Sequence, residues 1–96
     1  MTLMRMIERS TGFKRDYKRE AKGKHRTTLA NDLTNALNFL AMDEPLDRCY
    51  HDHDLSGNWA GYRECHLKPD LLLIYRKSEP NILRLARLGS HSELFS

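Results

Sequence analysis

Hydrophobic residues recur with a helical period in the first half of the chain and with a strand period in the second. Phe13, Tyr17 and Ala21 lie four residues apart in a segment otherwise rich in Lys, Arg and Glu, which predicts a basic amphipathic helix. Gly23 is suited to end this helix, because glycine readily adopts the left-handed conformation that follows many helices. Residues 4–8, which precede this first helix, predict a short edge strand.

A second helix is predicted to begin after Thr27 or Thr28, either of which can cap it. Its apolar residues recur three and four positions apart and form one face: Leu29, Leu33, Ala36, Leu37, Leu40 and Ala41. Pro45 follows the end of this pattern. Two consecutive amphipathic helices predict a helical hairpin.

The second half of the chain predicts three strands after a loop over residues 43–58. Residues 59–67 alternate between two faces, which carry Tyr62, Glu64 and His66 on one side and Arg63, Cys65 and Leu67 on the other. Residues 71–75 (LLLIY) form an uninterrupted apolar run, as in a central strand covered on both faces. Residues 82–88 predict the last strand.

The C-terminal residues predict a helical turn. Ser90 and Glu93 form a capping box, and one turn of helix places His91 and Phe95 on the same side. The whole pattern predicts an α+β fold of two layers, with the N-terminal hairpin packed on an antiparallel sheet of about four strands. Residues 1–96 are expected to form a single domain.

The composition agrees with a folded domain of this size. Of the 96 residues, 40% are hydrophobic and 30% are charged, so a modest core is expected rather than disorder. Apolar runs are far shorter than the roughly 20 residues that span a bilayer, and the N-terminus lacks the pattern of a secretory signal. We therefore expect a cytoplasmic protein with no membrane contact. Cys49 and Cys65 fit no metal-binding spacing and are expected to be free thiols.

Charge is distributed unevenly along the chain. Residues 1–40 carry nine Lys and Arg against four Asp and Glu, whereas residues 41–56 carry one against five. A basic N-terminal region can attract a phosphate backbone or an acidic protein. It is equally consistent with a solvated helix face, so charge alone leaves the partner open.

Three of the five histidines are concentrated, with four acidic residues, in the segment HDHDLSGNWAGYRECHLKPD, residues 51–70. Histidine titrates near neutral pH, so clustered histidines are suited to moving protons or holding a metal ion. His91 lies near the C-terminus, where the fold can bring it back beside the cluster. This distribution indicates a catalytic site.

The chain from His53 to Phe95 closely resembles the YafQ branch of the RelE-like toxins of bacterial toxin–antitoxin modules. The motifs that carry the resemblance are a histidine before LxGxW, then GYRExH, PD, LLIY and GxHxxLF, in that order. In residues 1–45 only the pattern of helices agrees. Leu71 departs from the family, since a large aromatic residue commonly follows the aspartate. His51 and Asp52 enlarge the histidine and aspartate cluster beyond the family pattern.

The resemblance implies a RelE-like fold and a ribosome-dependent mRNA endonuclease that inhibits translation. It implies that His53, His66, Asp70 and His91 are the catalytic residues, with Asp70 as a base or an orienting partner. RNA supplies its own nucleophile, the 2′-hydroxyl, so cleavage needs only proton transfer and stabilisation of charge on the phosphate. No metal or other cofactor is expected. Which residue is the general base and which the general acid is open.

Further residues are expected to contact the substrate. Phe95 matches the family's phenylalanine and is suited to stack on a base. Glu64 matches the family's acidic position two residues before the second histidine. Arg63, Arg84 and Arg87 are the available cations for phosphate.

The partners of the chain are also implied by the resemblance. They are the ribosome, mRNA and a cognate antitoxin from an adjacent gene, in a heterotetramer whose antitoxin part binds operator DNA. An acidic, partly disordered antitoxin segment is expected to wrap the basic helical hairpin and to fold as it binds.

Two alternatives compete with the nuclease. One is a metal-dependent hydrolase that uses His51, His53 and nearby aspartates, since histidines two residues apart lie on one side of an extended segment. The other is a non-catalytic module that binds nucleic acid or protein. His25 and His51 have no match in the family and are interpreted as surface histidines. Trp59, Tyr62 and Tyr75 are interpreted as packing residues.

Overall fold

Eight helices and strands make up residues 4–95, the part of the chain that the computed structural model describes. In chain order they are β1 (Met6–Arg9), α1 (Thr11–Glu20), α2 (Leu29–Ala41), β2 (His53–Asp54), β3 (Arg63–Lys68), β4 (Leu71–Ser78), β5 (Ile82–Gly89) and α3 (His91–Phe95). Single 3₁₀ turns at Arg48–Tyr50 and Gly57–Trp59 interrupt the loop between α2 and β3. The α+β class, the helical hairpin and the C-terminal turn are confirmed.

The strands form one sheet in the order β1-β5-β4-β3-β2. Strands β2 to β5 pair antiparallel, whereas β1 pairs parallel to β5, with Met6 opposite Ile82 and Arg9 opposite Leu85. The prediction of a purely antiparallel sheet of about four strands is therefore corrected to a mixed sheet of five. The difference has a topological cause, because α1 and α2 carry the chain across the sheet between β1 and the antiparallel strands, and such a crossover permits a parallel pair.

Both faces of the sheet are covered. One face packs against α1 and α2, and its buried residues include Phe13, Leu33, Cys65, Leu73 and Leu85. The opposite face carries a smaller cluster in which Leu94 and Phe95 of α3 pack with residues of β4, β5 and the loop before β3: Leu55, Trp59, Tyr62, Leu72, Ile74 and Ala86. We call these the helix face and the α3 face. β4 is central and buried on both, as the LLLIY run predicts.

The capping box at the C-terminal turn is confirmed. The Ser90 backbone N–H donates to the Glu93 carboxylate at 2.8 Å, and the Glu93 N–H donates to the Ser90 hydroxyl at 3.2 Å. This pair fixes the start of α3 directly after β5. Within residues 4–95, no helix combines the length and apolar character needed to cross a membrane.

Candidate active site

An open cleft of about 850 Å³ lies at the edge of the sheet formed by β2 and β3. It is lined by Cys49, Tyr50, His51, His53, His66, Leu67, Lys68 and Pro69. Three of the five histidines of the chain therefore face one cavity, whose size lies within the range of small-molecule and nucleotide sites. The fold therefore brings together the three histidines of the segment 51–70.

His53 is held by its partner across the sheet. It lies directly opposite Glu64 in the pairing of β2 with β3, and its Nε2 is 2.9 Å from the Glu64 carboxylate. Its Nδ1 donates to the carbonyl oxygen of His51 at 2.6 Å. Since Nδ1 must carry a hydrogen to make that bond, Nε2 is the ring nitrogen left to face the Glu64 carboxylate. His53 and Glu64 therefore form a close imidazole–carboxylate pair at the rim of the cleft.

His66 stands at an irregularity of the sheet. The pairing of β3 with β4 shifts between His66 and Lys68, so that Leu67 is an extra residue. Such bulges redirect neighbouring side chains and are common beside active sites. The His66 ring centroid is 6.5 Å from that of His53 and 5.4 Å from that of His51, which meets it edge-on. His66 is half-buried, with these two rings beside it.

α3 places His91 and Phe95 on the same face of the sheet as His66. Across the sheet, His66 pairs with Leu72 and Leu72 pairs with Gly89, so the backbones at His66 and Gly89 are roughly 10 Å apart. His91 follows two residues later, is exposed, and stacks on Phe95 with ring centroids 4.9 Å apart. His91 therefore flanks the cleft on the α3 face without lining it.

Asp70 is engaged outside the cleft. It follows Pro69 in the turn between β3 and β4 and accepts from His25 at 2.9 Å and from the ammonium group of Lys24. The Lys24 hydrogen bond lowers the pKa of Asp70 below its ordinary value against the opposing effect of desolvation, and His25 adds to the lowering. Asp70 thus connects the cleft wall to the linker between α1 and α2. Sequence analysis interpreted His25 only as a surface histidine.

Each of the three arginines named as phosphate contacts has a carboxylate partner. Arg84 pairs with Glu8 on β1, and Arg87 contacts Asp16 of α1 at 2.6 Å. Arg63 contacts Asp52 at 2.7 Å and Asp54 at 2.5 Å. Glu64, also named as a substrate contact, is buried against His53. The structure thus gives these four side chains intramolecular partners.

A hydrogen-bonded cluster lies beneath the histidines, on the helix face. The Tyr75 hydroxyl donates to one oxygen of Asp52, and the Arg63 guanidinium donates to the other. The hydrogen bond to Asp52 raises the pKa of Arg63, while burial, followed by the bond to Asp52, raises that of Tyr75. The sequence suggested only packing for Tyr75 and no role for Asp52, because their contact joins residues 23 positions apart.

The two ring nitrogens of His53 face oxygen atoms. Nδ1 is 2.6 Å from the carbonyl oxygen of His51, and Nε2 is 2.9 Å from the Glu64 carboxylate. Within residues 4–95, no three His, Cys, Asp or Glu side chains converge as a metal-binding group. Both cysteines are free, as expected, and Cys65 is buried.

Comparison with known proteins identifies relatives over the whole length of the chain. The family model described as "Bacterial toxin of type II toxin-antitoxin system, YafQ" matches residues 5–96. The mRNA interferase toxin YafQ of Escherichia coli K12 is 36% identical over 92 residues, which are 94% of this chain and 99% of the relative.

Solved structures show the same fold. YafQ in the crystal structure of the E. coli DinJ–YafQ toxin–antitoxin complex superposes with a TM-score of 0.82 at 37% identity, covering 98% of this chain and 100% of that one. A metal-bound toxin from Helicobacter pylori superposes with a TM-score of 0.79 at 44% identity, covering 96% and 100%.

Proposed function

Because this chain belongs to the YafQ family of bacterial type II toxins, we propose that it is an mRNA interferase that cuts translated mRNA on the ribosome. The observation that carries the proposal is the His53–Glu64 pair facing His66 across an open cleft. An imidazole–carboxylate pair beside a second imidazole suits metal-independent RNA cleavage, in which one group removes the 2′-hydroxyl proton and another protonates the leaving oxygen.

The geometry supports a division of roles. His53, whose ring lies 2.9 Å from the Glu64 carboxylate, acts as the general acid. His66, half-buried between two other imidazole rings, accepts the proton of the 2′-hydroxyl. His91 contacts the phosphate from the α3 side, and Phe95 beneath it stacks on a base. Positioned proton transfer of this kind contributes roughly 10²–10⁴-fold for each group.

We assign Asp70 to positioning rather than to proton transfer. Its lowered pKa makes it a weak base at neutral pH, and its oxygens already accept from Lys24 and His25. Through these bonds it fixes the turn that carries Pro69 into the cleft wall. Since Arg63 and Arg87 are paired with carboxylates, they contact RNA through the guanidinium N–H groups that those partners leave free.

The family implies a cognate antitoxin as the protein partner, as in the E. coli DinJ–YafQ complex. A groove of about 820 Å³ between β1, α1 and α2 suits an amphipathic acidic segment of it. The groove has an apolar floor and a basic rim: Ile7, Phe13, Tyr17, Leu33, Leu37 and Leu85, with Arg9, Lys14 and Lys18. We place the antitoxin here and keep the expectation that the complex is a heterotetramer that binds operator DNA.

Mapping mRNA ends in a translating extract tests the function. We expect new 5′-hydroxyl ends and 2′,3′-cyclic or 3′-phosphate ends with the wild-type chain, and cleavage slowed by about 10²-fold or more in His91→Ala. Thermal unfolding should show that this variant remains folded. Full activity of His91→Ala removes that assignment, and ribosome binding without new ends favours the non-catalytic module.

A metal-dependent hydrolase is the second candidate, because a toxin from H. pylori of the same fold is metal-bound. The extract is therefore also treated with a chelator of transition metals, while Mg²⁺ stays at the level that ribosomes need. Unchanged cleavage supports proton transfer by the histidines. Loss of cleavage, restored by one added metal, supports the second candidate.

A further inference from the structure

Asp52 lies between the two cleft histidines His51 and His53 and is held by two residues of neighbouring strands. Its Oδ1 accepts from the Tyr75 hydroxyl, and its Oδ2 accepts from Arg63 Nη2 at 2.7 Å and Nε at 3.2 Å. Tyr75 is only 1% exposed. A carboxylate that accepts three hydrogen bonds from such anchored donors has little freedom to move.

The anchor lies on the opposite face of the sheet from the chemistry. Arg63 and Tyr75 are partners across β3 and β4, whereas His53 pairs with Glu64 on the other face. Successive residues of an extended chain point to opposite faces, so holding Asp52 on the helix face leaves His53 of β2 on the α3 face, beside His66. The contacts of Asp52 thus restrain the direction in which His53 points.

The backbone at this point needs such an anchor. His51 adopts a left-handed conformation with φ of 48°, which is unfavourable for a residue with a side chain. In that conformation its carbonyl oxygen accepts from His53 Nδ1. The same backbone turn thus supplies the hydrogen bond that leaves Nε2 of His53 facing Glu64.

We propose that Asp52 is a positioning residue of the nuclease, which holds His51 and His53 beside His66 through its bonds to Arg63 and Tyr75. The inference rests on the proposed function and extends it. Asp52 contacts neither RNA nor the proton in transit, and it acts through the orientation of His53.

Two substitutions of the same kind, Asp to Asn, distinguish a positioning role of Asp52 from a general effect on the stability of the fold. Asp52→Asn removes the charge that binds Arg63 and Tyr75. Asp54→Asn makes the same change two residues later, in a side chain that also binds Arg63 but is 81% exposed and does not touch Tyr75. Tyr75→Phe removes one donor to Asp52 while leaving its charge. Thermal unfolding should be measured for each variant to check that it is folded.

Single-turnover cleavage of mRNA bound in programmed ribosomes, at increasing toxin concentration, provides the kinetic measurement. We expect Asp52→Asn to lower the maximal rate by about 10–100-fold, since small misplacements of catalytic groups have effects of that size. The half-saturating concentration should change by less than about threefold, and Asp54→Asn should change neither quantity by more than that. Tyr75→Phe should lie between the two.

Imidazole ¹H–¹⁵N spectra measure the orientation directly and need no RNA. The wild-type chain should show a slowly exchanging Nδ1–H resonance for His53, retained in Asp54→Asn and lost in Asp52→Asn. The inference is overturned if that resonance survives in Asp52→Asn, or if the two Asn variants cleave equally fast. A wild-type chain that cleaves no mRNA contradicts the proposed function instead, while the spectra still decide whether Asp52 orients His53.

Discussion

The Glu64 carboxylate that faces His53 is buried at some cost in folding stability. Glu64 is 5% exposed, and its Oε1 is buried with no hydrogen-bond partner among the described residues. A buried carboxylate oxygen without a donor is unfavourable, because the folded chain does not replace the water it has lost. The role that we propose for Glu64 beside His53 therefore makes a prediction for both activity and stability.

Glu64→Gln should therefore lower activity without lowering stability. The amide keeps the shape of the side chain but removes the carboxylate partner of the proposed general acid His53, so mRNA cleavage should slow by roughly 10²-fold. The free energy of unfolding should stay equal or rise by up to about 1 kcal/mol, because a neutral amide is less unfavourable than a carboxylate to bury where one oxygen lacks a donor. Denaturant titration and end mapping measure the two effects.

Glu79→Gln serves as the control, because Glu79 is exposed in the turn between β4 and β5. It should change neither quantity. If Glu64→Gln unfolds more easily while retaining full cleavage, Glu64 is a structural residue, and its proposed role beside His53 is wrong.

Residues that the motifs contain were predictable, and residues that act through the fold were not. His53, Glu64 and His66 stand in LxGxW and GYRExH contexts, and the structure brings these three together. His51 lines the cleft only because of a left-handed turn at its own backbone. His25 reaches Asp70 from 45 positions away. Neither contact leaves a periodic or local signal in the sequence.

At the scale of elements, α1 completes the edge of β5 that β1 leaves unpaired. β1 pairs with the first half of β5 only. Beyond it, the Ser10 hydroxyl donates to the Ala86 carbonyl at 2.7 Å, the Leu88 N–H donates to Asp16 at 3.0 Å, and Arg19 donates to the Leu88 carbonyl at 2.8 Å. Helix side chains thus replace a missing strand and protect an open sheet edge.

Asp16 is the central residue of this edge, and replacing it should destabilise the fold. It is fully buried. Burial raises its pKa, but the hydrogen bonds from Arg87 and the Leu88 N–H and the charges of Arg87 and Arg19 outweigh that effect and lower it. Asp16→Asn leaves both arginines without their buried partner, so we expect a loss of roughly 3 kcal/mol in the free energy of unfolding at pH 7.

The effect of Asp16→Asn should depend on pH in one direction. Because the pKa of Asp16 is lower in the folded than in the unfolded chain, its stabilisation is complete above about pH 5 and is lost as pH falls through the folded-state value. The difference between variant and wild type should therefore shrink in acid, as urea titrations from pH 7 to pH 3 can measure. Glu8→Gln, in an ion pair whose Glu8 side chain is 51% exposed, should have an effect within about 0.5 kcal/mol. A constant difference across this range would falsify the assignment.

The elements differ in how far their sequences determine them. The apolar run of β4 and the helical periods of α1 and α2 are local signals, and they were predicted within a few residues. β2 has only two residues, His53 and Asp54, and it exists because β3 offers an edge beside it. The parallel pairing of β1 with β5 joins residues 76 positions apart, so no pattern within either strand encodes it.

At the scale of the whole molecule, two concave surfaces lie near opposite edges of the sheet. The histidine cleft borders β2 and β3, whereas the basic groove borders β1 and β5. Three strands separate β1 from β2 in the sheet. A segment bound in the groove therefore leaves the cleft uncovered. An antitoxin docked there would inhibit by excluding the ribosome or by extending a further segment toward the cleft.

Reversing charge on the rim of the groove separates antitoxin binding from catalysis. Lys14→Glu with Lys18→Glu places two negative charges against an acidic partner, so the Kd for the cognate antitoxin should rise by about 10–100-fold. Arg15→Glu with Lys22→Glu makes the same change at exposed positions of the same region outside the groove, and should have a much smaller effect. Calorimetric titration with the purified antitoxin measures both.

Cleavage by the free toxin then identifies what the groove binds. If the antitoxin docks there, the Lys14 and Lys18 variant should cleave mRNA in the extract at close to the wild-type rate while escaping neutralisation, because the groove lies away from His53 and His66. Unchanged antitoxin affinity with reduced cleavage would instead assign the basic rim to RNA or the ribosome. The comparison works because the fold keeps the two surfaces on separate strands, so a change in one reaches the other only by altering the sheet between them.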